Sequence, residues 1–346
     1  MSATDYDFPR KVAAIVRNGW PPWFGITGRH APDYASWLET RKVAIRSKTA
    51  HQYQSIIQKH IFPTFSNVMI KDLTLVRTEK YYSNLLEAGV GIRTIHIVHN
   101  ILHSSLEKAV KYGYISRNPT QGATLPVYRF DEMQVLSLDQ VAKFLSAASR
   151  SSSYALYHLA IVTGMRMGEL LGLKWPDIDW EMGLISVRRQ RQYVPGEGIT
   201  LIEPKTKAGK RTIKLGKNSL EILQKHFHDQ SISKNRSKSK WMEMDLVFPN
   251  SVGKPDDASN IRLEFNKILD SAGIPRIRFH DLRHTAAAIF LNHNVPVIVV
   301  SHILGHSKPS VTLDLYGHVM SDMQEEAAAI MEKLVSPISV KNPSAE

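Results

Sequence analysis

The 346-residue chain carries 44 Lys and Arg against 32 Asp and Glu, a formal net charge of +12; so basic a balance favours a polyanionic partner, nucleic acid first and an anionic membrane surface second. Hydrophobic residues make up 43%, enough for real cores, the length suggests two domains and a short extra arm, and no apolar run is long enough to cross a bilayer. Cysteine is absent, which excludes disulfides, thiolate metal sites and cysteine nucleophiles.

The start, Met1-Ser2-Ala3-Thr4-Asp5, is acidic and precedes only the short Val12-Ala13-Ala14-Ile15-Val16, so it does not read as a secretory signal. A cytoplasmic, nucleoid-associated place is expected. Residues 1–30 form an N-terminal extension with no assigned function, in which Trp20-Pro21-Pro22-Trp23 reads as a turn strapped onto the first domain. From Asp33 to Pro119 the pattern is helical. Trp37-Leu38 falls in a first amphipathic segment. Thr49 and Gln52 have the capping-box spacing and predict a helix to Ile61, ended by Pro63. Thr74 caps a helix that stops at Gly89. The next, Ile92 to Tyr112, places Ile95, Val98, Leu102, Leu106 and Val110 at helical spacing and stops at Gly113. These elements predict an all-α domain over 31–122. Arg46, Lys48, Lys59, Arg93, His96 and His99 fall on polar faces, as a solvated surface or a phosphate-facing stripe. Residues 123–136, with Pro126 and mixed charge, read as a linker.

A second domain is predicted over 137–335, opened by a capping box on Ser137. A helix from Tyr154 to Val162 breaks at Thr163-Gly164, and Arg166 follows. Val187 to Val194 alternates as a strand, Pro195-Gly196-Glu197-Gly198 turns, and Ile199 to Ile202 returns. Lys205-Thr206-Lys207-Ala208-Gly209-Lys210-Arg211 is a basic turn before a third short strand, Thr212 to Leu215. Helix is expected from Ser219 to His228, then a polar, basic loop from Ser231 to Lys240, then helix from Ala258 to Ala272. A last helix is expected from Met323 to Leu334, with 336–346 as a tail.

The chemistry concentrates between His280 and Tyr316. His280 and Arg283 are three apart and share a face if a helix starts here; Asp281 can help cap that start. The apolar run Val295 to Leu304 is stopped by Gly305, His306 follows, and Ser307 and Pro309 open a further helix that carries Tyr316. Arg166 and Arg283 suit a phosphodiester, because a guanidinium matches its non-bridging oxygens bidentately and stays charged. A free phenol has a pKa near 10, so Tyr316 as a nucleophile needs the cations and imidazoles nearby to favour its phenolate or accept its proton. Glu169 can orient Arg166 or merely pair with it. The i, i+4 pairs His280/His284 and His302/His306 raise a metal reading. A zincin needs Glu after the first His; Asp281 and Ile303 stand there, no third ligand is evident, and neither metal nor cofactor is expected.

Together these residues resemble the tyrosine recombinase (phage integrase) family. Thr163-Gly164-Met165-Arg166 through Glu169-Leu170-Leu171 is similar to its first box. His280-Asp281-Leu282-Arg283-His284-Thr285, Leu304-Gly305-His306 and Leu315-Tyr316 are similar to its second. Pro204-Lys205-Thr206-Lys207 resembles the catalytic-lysine hairpin, and Asp33 to Pro119 the helical core-binding domain. The fold implied is mainly α with a small β-sheet and hairpin: an all-α, SAM-like core-binding domain, then an α+β catalytic domain. The resemblance implies that Arg166 and Arg283 clamp the scissile phosphate and that Tyr316 attacks it, leaving a 3′-phosphotyrosyl bond. It further implies that Lys205 protonates the 5′-oxygen while His280 and His306 assist. The implied partners are double-stranded DNA with specific recombination sites, three further copies of the chain in a homotetramer on two duplexes, and an accessory DNA-bending protein or excisionase. No membrane partner is implied. Residues 1–30 are too short and too neutral for the arm-binding domain of many integrases. Rival readings are a type IB topoisomerase, a non-catalytic DNA-binding regulator, and a membrane-surface protein supported by charge alone.

Overall fold

A computed structural model of the chain describes residues 34–128, 133–204, 206–237, 240–316, 328 and 331–335. Two compact units divide it, the first up to residue 131 and the second from 132 to 193 and from 197 onward. The expectations for residues 1–30, for Lys205 and for the tail 336–346 lie outside the described residues, as does most of the expected last helix, of which 331–335 are helical. Among the described residues, no helix is long and apolar enough to cross a membrane.

The first unit is helical: α1 (Tyr34–Lys42), α2 (Ser47–Ile56), α3 (Leu75–Glu87) and α4 (Ile92–Lys111). Thr74 caps α3 by accepting from the Arg77 N–H, and Gly89 beyond it takes a positive φ. Ile95, Val98, Leu102 and Leu106 bury one stripe of α4 against Trp37, Leu38, Ile57, Phe65 and Tyr82. Two local expectations fail. Arg46, not Thr49, stands at the start of α2, and it makes no side-chain cap. Pro63 does not end that helix either: the chain widens into a π-turn at Ile57–Ile61 and continues through Phe62–Phe65. Pro63 falls in the first turn of that last segment, where its missing N–H costs little.

The loop after α4 is fixed by Asn118, buried, whose amide donates to the Glu107 carboxylate (2.7 Å) and to the His103 carbonyl (3.1 Å). Two histidines assigned to the polar stripe are otherwise engaged. His99 Nδ1 bonds the Tyr82 hydroxyl at 2.9 Å, and His96 Nε2 meets the Pro126 carbonyl at 2.9 Å. Lys48, Lys59 and Arg93 are exposed.

The second unit opens with α5 (Leu138–Ala148), whose Ser137 and Gln140 form the expected capping box. Then come α6 (Tyr154–Thr163) and α7 (Met167–Leu170). The expected strand from 187 to 194 is two strands. β1 (Ile178–Asp179), β2 (Leu184–Val187) and β5 (Arg211–Lys214) form one antiparallel sheet in the order β1-β2-β5, with Ile185 opposite Ile213 and Val187 opposite Arg211. β3 (Gln190–Val194) and β4 (Gly198–Ile202) pair separately. The break falls at Arg188-Arg189, both of which turn to the buried carboxylate of Asp177. Helix α8 (Lys217–Ser237) runs through most of the expected basic loop. Its polar second half is legible as helix only where Gln230 fixes it, accepting from the Trp175 indole at 2.7 Å and donating to the Leu246 and Val247 carbonyls. α9 (Ala258–Ser271), α10 (Asp281–Asn292), α11 (Val297–Leu304) and α12 (Pro309–Tyr316) complete the unit. Phe144, Tyr157, Leu159, Ile185, Phe265 and Leu282 are central to its core.

Candidate active site

Two glycines shape the site. Gly164 ends α6 at φ +59°, and a Cβ there would lie 2.5 Å from Leu304 Cδ2 and 3.5 Å from Ala286 Cβ. Only hydrogen at this position lets α10 and α11 approach the turn that carries Arg166. Gly305 ends α11 at φ +71°, where a Cβ would meet the Ala208 carbonyl and the Arg211 guanidinium, each at 2.9 Å. That left-handed stop turns the chain so that His306 leaves the helix end, its N–H bonded to the Ser301 carbonyl at 3.0 Å.

Arg166 stands half-buried just before α7. Glu169, 2% exposed, receives its Nη1 at 2.8 Å and its backbone N–H at 2.9 Å. The same carboxylate accepts Nη1 and Nη2 of buried Arg211 at 3.2 and 3.0 Å. Burial alone would raise the Glu169 pKa; Arg211 and then Arg166 outweigh it and hold the carboxyl below its ordinary value. Arg211 also donates Nε to the Ile303 carbonyl at 2.5 Å, tying β5 to the end of α11. Glu169 therefore both pairs with Arg166 and orients it.

On α10, Asp281 does not cap the helix as expected. His280 holds the position before it, and the Asp281 carboxylate turns back to the Arg278 N–H at 2.8 Å and to its guanidinium. Arg283, buried, donates Nη1 to the Gly164 carbonyl at 2.8 Å, while its Nη2 is buried with no partner. A buried guanidinium N–H without an acceptor is costly, and an anionic oxygen there would satisfy it. Burial first, then Arg166, pushes the Arg283 pKa down to about 9, which leaves the group charged at neutral pH. Burial also pushes both His280 and His306 down to about 4, helped by His284 and Arg283 at the first and by Arg283 and Arg166 at the second. Both rings are therefore neutral near pH 7. His306 Nδ1 bonds the Thr312 hydroxyl at 2.8 Å; when that hydroxyl donates, the ring proton sits on Nε2 as a donor.

Tyr316 ends α12 and is 1% exposed, packed with Ala287, Leu291, Val300 and Leu304. Its hydroxyl bonds His284 Nδ1 at 2.6 Å. Burial pushes the phenol up to about 12, although Arg283 opposes the shift. Arg283 thus favours the phenolate, as expected of a neighbouring cation, but burial outweighs it in this arrangement.

Arg283 is thus within electrostatic reach of Arg166, His280, His306 and Tyr316, and Arg166 of both His280 and His306. Lys205 lies outside the described residues. Of its neighbours, Lys210 is taken by Glu203 at 2.8 Å and Lys207 is exposed. Sequence reasoning missed Arg211, His284 and Thr312. Inward parity with Ile213 on β5 was the available signal for Arg211; His284 had its place in the second box and its i, i+4 spacing from His280, which was weighed only as a metal pair. Among the described residues no group of three or more His, Asp or Glu side chains is placed to hold a metal ion.

The chain is thus a helical unit followed by a mixed unit that presents arginines, imidazoles and a tyrosine. The phage integrase family matches residues 134–323, and the SAM-like N-terminal domain of phage integrases matches residues 34–86. A tyrosine recombinase XerC-like protein of Caldanaerobacter subterraneus subsp. tengcongensis is 31% identical, over 86% of this chain and 81% of its own length. Among solved structures, the Tn1549 transposon integrase in complex with a circular intermediate DNA superposes with a TM-score of 0.74 at 21% identity, covering 87% of this chain and 98% of that one. A lambda integrase tetramer bound to a Holliday junction gives a TM-score of 0.56 at 19% identity, covering 88% and 83%. The chain belongs to the phage integrase family. It is a tyrosine recombinase, an enzyme that breaks and rejoins DNA.

Proposed function

We propose that this protein integrates or excises a mobile element by cleaving and rejoining DNA at specific sites through a 3′-phosphotyrosyl bond to Tyr316. The observation that carries the reading is the unpartnered Nη2 of Arg283, buried beside Arg166, His280 and His306 and electrostatically coupled to Tyr316. A scissile phosphate seated there supplies the missing acceptor. Arg166 and Arg283 take its non-bridging oxygens, where fixed cations stabilise developing charge by on the order of 3–4 kcal/mol each, the scale of single electrostatic stabilisers.

Neutral His280 and His306 offer ring N–H groups to the same oxygens and move protons. Lys205, on the basic turn, protonates the leaving 5′-oxygen. A 5′-hydroxyl from the partner duplex then reverses the step. The phosphotyrosine keeps the bond energy, so the reaction needs no nucleotide hydrolysis. Assembly as a tetramer on two duplexes is supported by the fold shared with a lambda integrase solved as a tetramer bound to a Holliday junction.

The test is a nicked duplex carrying the sequence that borders the coding gene, on which cleavage traps a covalent adduct. The wild-type chain is expected to form the adduct, and Tyr316→Phe to bind without forming it. Relaxation of a plasmid that lacks the site, with no adduct on the flanking sequence, would instead support a topoisomerase.

A further inference from the structure

The proposed chemistry does not name the group that takes the phenol's proton, which must leave as the oxygen bonds to phosphorus. With Tyr316 buried and pushed up to about 12, attack near neutral pH needs an acceptor in contact with Oη. Such a group is present: His284 Nδ1 lies 2.6 Å from it, with the rings tilted at 55°. The His284 ring is itself buried and packs edge-on to His280, the centroids 5.0 Å apart.

We propose that His284 is a further catalytic residue, a general base that takes the Tyr316 proton through Nδ1; this rests on the reading of Tyr316 as the nucleophile. The O–H bond breaks toward Nδ1 while Oη forms its bond to phosphorus. The bond from phosphorus to the 5′-oxygen breaks, its electron pair leaves with that oxygen, and the oxygen is protonated by the acid assigned to Lys205. In the reverse step the incoming 5′-hydroxyl gives its proton to that lysine, and His284 returns its own to the departing phenolate. Burial holds His284 below the ordinary imidazole range, so its lone pair is available at neutral pH. The charged groups facing the ring are Asp281, Arg278 and Arg283 on or before its own helix and His306 from the turn after α11. Asp281, one helical turn away and buried, favours the imidazolium that forms. The bound phosphate is a second counter-charge.

A mere clasp, holding the phenol at rest, makes the opposite prediction: its loss would speed attack. Two measurements on the full chain separate them. Nitrogen NMR of histidine-labelled protein, which needs no DNA, is expected to show His284 protonated on Nε2 with Nδ1 accepting. On the nicked flanking-sequence duplex, His284→Ala is expected to slow adduct formation about 100-fold near neutral pH, the scale of general-base catalysis, at unchanged DNA affinity. The residual rate should climb with pH, and added imidazole should restore part of it. His284→Gln, which keeps an acceptor but no base, should show the same loss.

A proton on Nδ1 overturns the proposal. So does a variant that cleaves as fast as wild type or faster, or a loss indifferent to both pH and imidazole. An adduct that survives Tyr316→Phe overturns the nucleophile reading and this proposal together, whereas a tyrosine-dependent adduct at an undisturbed His284→Ala rate overturns this proposal alone.

Discussion

Replacing Glu169 by glutamine removes one negative charge from between two guanidinium groups. In the folded chain its carboxylate accepts four hydrogen bonds, at 2.8 and 2.9 Å from Arg166 and at 3.0 and 3.2 Å from Arg211. Glutamine keeps the shape, but its amide nitrogen must face a guanidinium donor, and Arg211 loses its carboxylate while still buried. Breaking a buried ion pair by removing one partner costs about 3–5 kcal/mol. In a domain of this size each kcal/mol lowers the melting temperature by about 2–4 °C, so Glu169→Gln should melt the second unit roughly 10 °C lower. Urea unfolding followed by the fluorescence of Trp175 and Trp180 measures the loss.

The pH dependence has a definite sign. A carboxyl held below its ordinary value stabilises the fold above that value and loses the effect as pH falls through its folded pKa. The gap between wild type and Glu169→Gln should therefore narrow in acid. A Glu169–Arg211 double-mutant cycle should give a coupling of about 2 kcal/mol, within the range for residues in one network. A loss below about 1 kcal/mol, the net worth of one ordinary hydrogen bond, would refute the claim that this carboxylate holds the two arginines together.

Other outcomes follow from single features. His280 and His306 have folded pKa values near 4, below the unfolded value, so their contribution is complete above about pH 6.5 and is lost as pH falls from there toward 4; His306→Asn should flatten that part of the melting profile. Gly164→Ala should cost about 1–3 kcal/mol from its left-handed φ alone, with more from the clash with Leu304, and should slow adduct formation by moving the Arg166 turn; a fully active, equally stable variant would contradict the packing argument. A substrate with sulfur at the bridging 5′ position needs no acid, so it should rescue Lys205→Ala but not Tyr316→Phe; rescue of Lys207→Ala instead would move the acid two residues along. DNA affinity should fall steeply with added salt, as counterion release requires; a flat response would contradict a phosphate-led interface.

What could be read from the sequence was local. Ser137 with Gln140, Thr74, and the stops at Gly164 and Gly305 each act within a turn or two of themselves, so their residue types foretold the caps and left-handed stops that the chain adopts. The buried stripe of α4 was equally legible, because a 3.6-residue period reports one apolar face whatever it packs against. The second box placed His280, Arg283, His306 and Tyr316 in order along the chain.

Tertiary structure decided what lies across elements. Pro63 passes through a helix because a π-turn precedes it, and α8 continues through a basic stretch because Gln230 finds Trp175 and two carbonyls on other segments. Arg211 looked like one more cation in a basic turn. It is buried because Glu169 waits 42 positions earlier with a carboxylate that Arg166 alone does not neutralise. The bond between His284 and Tyr316 spans 32 residues and depends on how α10 and α12 pack. Residue type and period describe a side chain's own helix or strand; the partner that fixes its charge, its burial and its proton is set by packing between segments distant in sequence.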